Sequence, residues 1–265
     1  MAQPSSPFVG PGKIPFSGPD RSPLYKALPR LYRDLRKLSV YCRGDAAGLR
    51  KALPPEFDLA SDVFEVFVMN CPVVHDAADP VMGPRSYSEG GIVLHARYRD
   101  IVGGHVAYEF VTTDDAMAGG REIMGYPKKL ADVTLVEDGK PMTGAVVRLG
   151  VELIKVAFEP AEGAFAKPML QPRLLVKRIP RADGLGYDVN QIVTLSLQRS
   201  KVLEVRRGRA TAALGGSLDM DPLLELGLRE VLGAEFIVGE FDLGYGRVLE
   251  DLLRAGSPAA LAPVA

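Results

Sequence analysis

Apolar and polar residues follow a period of two along much of the chain, which is the signature of half-buried strands. Residues 91–100 (GIVLHARYRD) alternate in this way, and 63–70 (VFEVFVMN) are rich in β-branched and aromatic side chains. Residues 105–113 (HVAYEFVTT) follow Gly103-Gly104, which reads as a turn. In 131–150, Asp138-Gly139 separates two strand-like runs, a strong hairpin signal. VELIKVAFEP, RLLVKRIP, VNQIVTLSLQ and AEFIVGEFDLG add further strands. Four segments read as helices. Residues 45–55 start at a capping Asp45 and stop at Pro54-Pro55, and 114–125 hold a short helix. Residues 221–233 have Asp221 at the cap, Pro222 in the first turn and Gly233 past the end, and 248–256 form a fourth. Many hairpin-joined strands with inserted helices predict an α+β fold, mainly antiparallel. The strands are expected to curl into a barrel or cone-like sheet, because closure removes exposed edges.

Composition adds boundaries to this picture. The chain has 265 residues, 47% hydrophobic and 25% charged, enough for one large core. Residues 1–23 are rich in Pro, Gly and Ser and read as a flexible arm, and 255–265 as a flexible tail. Residues 24–254 are expected to form one domain. A net charge of −1 offers no field for nucleic acid, and no apolar run reaches the length of a membrane span. Arg206-Arg207-Gly208-Arg209 reads as a solvated strand end. The two cysteines, Cys42 and Cys71, form no CxxC, and the N-terminus lacks a signal-peptide pattern, so a cytoplasmic setting is expected. His75, His95 and His105 form no metal-binding pattern, and no cofactor fingerprint is present.

The chemistry concentrates in residues 120–131, GREIMGYPKKLA. Two adjacent lysines after a Gly-Tyr-Pro turn are ordinarily solvated surface residues. Here Pro127 fixes its own φ and pushes Tyr126 towards extended geometry, so the position of the pair is stiffly set. Ile123, Met124, Tyr126 and Leu130 supply apolar neighbours, and Arg121 and Glu122 supply charged ones. An amine with dry walls and nearby cations loses its proton more easily. A neutral lysine is a nucleophile towards ketones and forms a Schiff base.

This segment resembles the active-site segment of the acetoacetate decarboxylase family, whose lysine is a well-known instance of such activation. The resemblance extends to 41–57 (YCRGDAAGLRKALPPEF), 63–73 (VFEVFVMNCPV), 87–91 (YSEGG) and 173–184 (RLLVKRIPRADG). It implies that Lys128 is the Schiff-base lysine and Lys129 its companion, that Glu89 is the active-site acid, and that Glu65 is a second acidic residue. Glu65 either orients a neighbouring charge or faces outward from its strand. Arg121 and Glu122 either shape the pocket entrance or pair structurally. Met124, Ile123 and Tyr126 are expected as walls. The family also places an N-terminal arginine in its pocket. Here a Tyr-Lys-x-x-x-Arg match points to Arg30 and counting back from Tyr41 points to Arg36, with Arg33 between them; the motif match favours Arg30. The implied activity is decarboxylation of acetoacetate or a related β-keto acid without an added cofactor, in a homo-oligomer. Two other functions stay open: aldolase or dehydratase chemistry on pyruvate-like 2-keto acids through the same Schiff base, and a non-catalytic ligand-binding barrel. If the two lysines sit in a strand, their side chains diverge. Desolvation is then expected to govern the pKa of Lys128, and Lys129 serves structure.

Overall fold

The structure is a computed structural model that describes residues 23–77, 83–163 and 165–254. The segments 1–22 and 255–265, read above as arm and tail, lie outside the described residues. The chain enters the sheet through β1 (Arg30–Arg43), β2 (Asp58–Asp76), β3 (Arg85–Tyr98) and β4 (Ile101–Val111). A short strand β5 (Lys128–Leu130) follows, then β6 (Asp132–Val136), β7 (Met142–Arg148) and β8 (Val151–Pro160). The last strands are β9 (Arg173–Pro180), β10 (Tyr187–Leu195), β11 (Gln198–Leu214), β12 (Glu230–Leu243) and β13 (Arg247–Asp251). Their order is β13-β10-β9-β4-β3-β2-β1-β12-β11-β8-β7-β6, with β5 pairing β4 off this path. Pairing is antiparallel except at β4–β5 and β4–β9.

The predicted barrel does not form, because β13 and β6 at the ends of the sheet do not pair. Instead the β6–β7 hairpin folds back over β2, β3 and β4. Val133, Leu135 and Val146 of the hairpin thereby bury the Phe64, Val66, Val68 and Ile92 face of the sheet. An apolar face is covered without edge closure. Gly90 permits this close approach, since a Cβ there would stand 2.5 Å from Val146 Cγ2.

Two of the four predicted helical segments hold. Helix α1 (Ala46–Ala52) is capped by Asp45, whose Oδ2 accepts from Gly48 N at 2.9 Å. Helix α2 (Asp114–Gly119) runs into a π-helical turn, Gly120–Met124. The other two form no α-helix, and each feeds a strand. In 221–233 a single 3-10 turn, Leu223–Leu226, ends at Gly227 with φ 55, and Glu230 then pairs with Arg43. Within 248–256, Val248 to Asp251 pair with β10. Sheet pairing overrides helical propensity in both places. The Asp138-Gly139 hairpin forms as expected between β6 and β7. Gly103-Gly104 is no turn; it lies inside β4, and the reversal falls at Arg99-Asp100. The pair is glycine for another reason: a Cβ on Gly103 would sit 2.0 Å from Pro172 O. Close approach of β9 follows from this. His95 and His105 occupy adjacent rungs and face opposite sides, one bonded to Ser61, the other to Leu174 O. No helix among the described residues is long and apolar enough to cross a membrane.

Opposite the covered face, a second apolar cluster includes Tyr32, Leu35, Phe67, Val93, Val106 and Phe241. Two bulges shape it. In β1 the register against β12 slips between Tyr32 and Leu35, with Asp34 at φ 54. In β4 the register against β3 slips so that Ile92 faces Tyr108 while Val93 faces Val106. An extra residue reverses which side later side chains take. Tyr32 and Leu35 therefore share a face, and so do Val106 and Glu109.

Candidate active site

On this second face lies a cavity of about 100 Å³. Its apolar wall includes Leu35, Phe67, Met69, Val106, Leu197 and Phe241, and its polar groups are Lys37, Glu89, Glu109, Lys128, Gln171, Arg173 and three tyrosines.

Lys128 is placed by its own loop. The π-helical turn ends at Gly125, whose φ of 89 is open to glycine, and the N–H groups of Gly125 and Tyr126 both donate to Gly120 O. Pro127 follows, and Lys128 N–H donates back to Tyr126 O at 2.9 Å. Strand β5 then adds in parallel to β4 with Lys128 opposite Glu109 and Lys129 opposite Phe110. The two lysines diverge as expected. Lys128 turns inward, is 7% exposed, and lies over Gly120, where a Cβ would stand 2.6 Å from its Cδ. Its Nζ donates to Glu89 Oε1 and stands 5.5 Å from the Tyr126 ring centroid and 5.8 Å from that of Tyr87. Lys129 turns outward, donating to Met220 O and Asp221 Oδ1, each at 2.7 Å. Arg148 holds the other oxygen of Asp221 at 2.9 Å.

The electrostatics differ from those expected of an amine among dry walls and cations. Burial does push the Lys128 ammonium towards losing its proton, but the carboxylates of Glu109 and Glu89 outweigh it and raise the pKa. Glu109 was not foreseen. It is 4% exposed, and burial pushes its pKa up to about 8 against the pull of Lys128, with the negative charge of Glu89 adding to the rise. Lys128 is thus hydrogen-bonded to Glu89 beside a Glu109 carboxyl whose pKa stands well above the ordinary carboxylate range.

The remaining expected residues separate into two groups. Glu65 is buried and faces the cavity side: it accepts from Lys37 Nζ and Ser39 Oγ, both at 2.6 Å, and Arg173 Nη2 stands 3.8 Å away. Its pKa is lowered: burial raises it, but Lys37 and Arg173 prevail. Tyr126 lines the cavity as expected. Met124 is 1% exposed and packs in the core beside the cavity without lining it. Arg121 also stays outside: its Nη1 bonds Lys128 O at 3.2 Å, and with Glu122 it lines a separate groove beyond Tyr126. Glu122 accepts from Tyr25 Oη at 2.5 Å.

Among the three candidate arginines, the β1 bulge decides the register. Arg30 falls on the Tyr32 side and is 2% exposed, with its Nε 3.6 Å from Asp76 Oδ1. Its guanidinium packs against Gly119 and does not line the cavity. Arg36 points to the other side and bonds Asp34 and Glu137. Arg33 pairs with Asp242 at 2.9 Å. The cations that do line the cavity beyond Lys128 are Lys37 and Arg173. Neither stood out in the sequence, because each sits in an ordinary strand pattern.

A family described as Acetoacetate decarboxylase (ADC) matches residues 13–253. The chain belongs to the acetoacetate decarboxylase family. "Acetoacetate decarboxylase 2" of Mesorhizobium japonicum is 28% identical over 251 residues, covering 93% of both chains. The acetoacetate decarboxylase structure from Legionella pneumophila superposes with a TM-score of 0.77 at 24% identity, covering 90% of this chain and 94% of that one. The enduracididine biosynthesis enzyme MppR complexed with pyruvate superposes at 0.75 with 18% identity, covering 87% and 94%. These structural likenesses describe the fold. Glu109, Lys37 and Arg173 come together in the cavity only once the strands are assembled.

Proposed function

We propose that this protein decarboxylates acetoacetate or a related β-keto acid through a Schiff base on Lys128. One observation carries the reading: a lysine buried at an apolar cavity, with its amine hydrogen-bonded to the carboxyl of Glu89. Burial in such a site disfavours ions, and substrate filling the cavity displaces water from the pair. A proton passing along the Lys128–Glu89 hydrogen bond leaves a neutral amine and a neutral carboxyl. The amine adds to the substrate ketone, water leaves, and an iminium forms. The bond to the carboxylate then breaks, its electron pair moves into the iminium, and CO₂ departs, leaving an enamine. Protonation and hydrolysis release the ketone and restore Lys128. Arg173 and Lys37 supply positive charge for an incoming substrate carboxylate, in the part that Arg30 was expected to take. Glu65 holds both in place.

A second reading keeps the same iminium but runs aldol or dehydration chemistry on a pyruvate-like 2-keto acid. Arg30, the arginine that the resemblance associates with decarboxylation, does not line the cavity, and this favours the second reading. The test is borohydride reduction with acetoacetate or with pyruvate, followed by mass spectrometry of Lys128, alongside assays of CO₂ release and of condensation with aldehydes. Acetoacetate should give both an adduct on Lys128 and CO₂. An adduct with pyruvate and condensation without CO₂ supports the second reading, and no adduct with either leaves a binding protein.

Gly120 provides a separate check on the placement of the amine. Gly120→Ala suits the helical backbone, but its methyl group would overlap Lys128 Cδ and Cε at 2.6 and 2.9 Å. Thermal stability should stay within about 1 kcal/mol, while turnover falls roughly 10- to 100-fold from the displaced amine. Full turnover in this variant would show that the lysine tolerates a different path.

A further inference from the structure

Glu109 sits in the interior of β4 beside Phe110 and Val111, both fully buried. A carboxyl in such surroundings is accommodated as a neutral acid or against a cation. Three observations concern its proton. Strand register puts Glu109 directly opposite Lys128. Glu89 and Glu109 line the same cavity from adjacent strands, and two carboxyl groups sharing one buried site are disfavoured from both ionising. Glu89 Oε1 is already the acceptor of the Lys128 Nζ, so Glu109 is the carboxyl without a direct ammonium bond and the one placed to keep a hydrogen. Moreover, Glu109 Oε2 is buried and has no hydrogen-bond partner in the protein, while the residue lines the cavity.

We propose that Glu109 is a catalytic acid–base residue, which delivers the proton to the carbon next to the Schiff base and takes it away again. The inference rests on the Schiff-base reading above. In the forward direction the nitrogen lone pair of the enamine becomes the C=N bond of the iminium. The enamine C=C pair takes the hydrogen of the Glu109 carboxyl to make the new C–H bond. Glu109 is left as a carboxylate and recovers its proton from water. In reverse, the Glu109 carboxylate removes a hydrogen from the carbon next to the iminium, the C–H pair forms the C=C bond, and the enamine returns. Glu89 keeps a different task, exchanging a proton with the amine of Lys128. The two carboxyls divide the chemistry between carbon and nitrogen.

The experiment uses acetone in D₂O with the full chain, following loss of the methyl proton signal by NMR. Borohydride trapping of the acetone adduct on Lys128 is measured in parallel. Glu109→Gln keeps the size and a hydrogen-bond donor towards Glu89 but holds no transferable proton. It should exchange hydrogen about 100- to 1000-fold more slowly while adduct yield stays within a few-fold of the unsubstituted protein. Glu109→Asp restores an acid with a shorter reach, and its exchange should lie between the two. Exchange at the unsubstituted rate in Glu109→Gln overturns the proposal. So does a loss of adduct in proportion to the loss of exchange, which makes Glu109 a support for the lysine only. If Glu109→Gln fails to fold, Glu109→Asp decides: slowed exchange with an intact adduct supports the role, and unchanged exchange overturns it. Absence of any adduct in the unsubstituted protein overturns the Schiff-base reading instead.

Discussion

Lys128→Met should abolish turnover, with a loss on the order of 10⁴-fold or more, as expected when a covalent catalyst loses its nucleophile. The adduct trapped by borohydride should vanish with it. Lys129→Gln should behave differently, keeping turnover within a few-fold. The outward ammonium is engaged by Met220 O and Asp221, and Asp221 retains Arg148 when Lys129 is removed. Its charge is also partly solvated, with the side chain 35% exposed, so little of its field reaches the cavity. Steady-state rates and adduct masses of the two variants check this directly. An equal loss in both would mean that the second ammonium acts on the first across the strand, against the geometry.

Glu109→Gln should make the protein more stable at alkaline pH. The folded state holds the Glu109 proton up to about pH 8, whereas the unfolded chain releases it near 4.5. Below the lower value both states carry the proton and the group has no pH-dependent effect. Between the two values only the unfolded chain ionises, so stability falls as pH rises, and above the higher value the penalty is complete. Glutamine has no such penalty. The rise from 4.5 to about 8 already includes the pull of the Lys128 ammonium, so the gain at pH 9 should be on the order of 4–5 kcal/mol. Thermal unfolding from pH 4 to pH 9 reads this as a gap between variant and parent that opens with pH. A gap that is constant across the range, or that closes as pH rises, would show that Glu109 is ionised in the folded protein.

What could be seen in the sequence was what depends on neighbours along the chain. The Gly-Tyr-Pro-Lys-Lys segment, the YSEGG strand and the Asp-Gly hairpin each carry their signal locally, and Lys128 and Glu89 meet in the cavity. What could not be seen depends on pairing. Glu109 looks like one polar residue in an alternating strand, and only the bulge at Ala107 turns it to the side of Val106. Arg30 and Arg36 cannot be told apart by counting, because the bulge at Asp34 adds a residue between Tyr41 and the start of β1. The direction of the Lys128 shift was misjudged for the same reason. Apolar neighbours in sequence announced desolvation, while the carboxylates that outweigh it come from β3 and β4. The segments at 221–233 and 248–256 carry helical signals, yet the open hydrogen-bonding edges of β1 and β10 recruit them as strands.

The three-residue strand β5 ties the amine and the acid to neighbouring positions on one ladder. Side chains mounted on the same rung rise, tilt and vibrate together. A shift of that rung as a unit would alter the distance from either group to the solvent more than the distance between them. In the proposed reaction a ketone attached to Lys128 would therefore be carried along with the Glu109 proton source rather than having to find it.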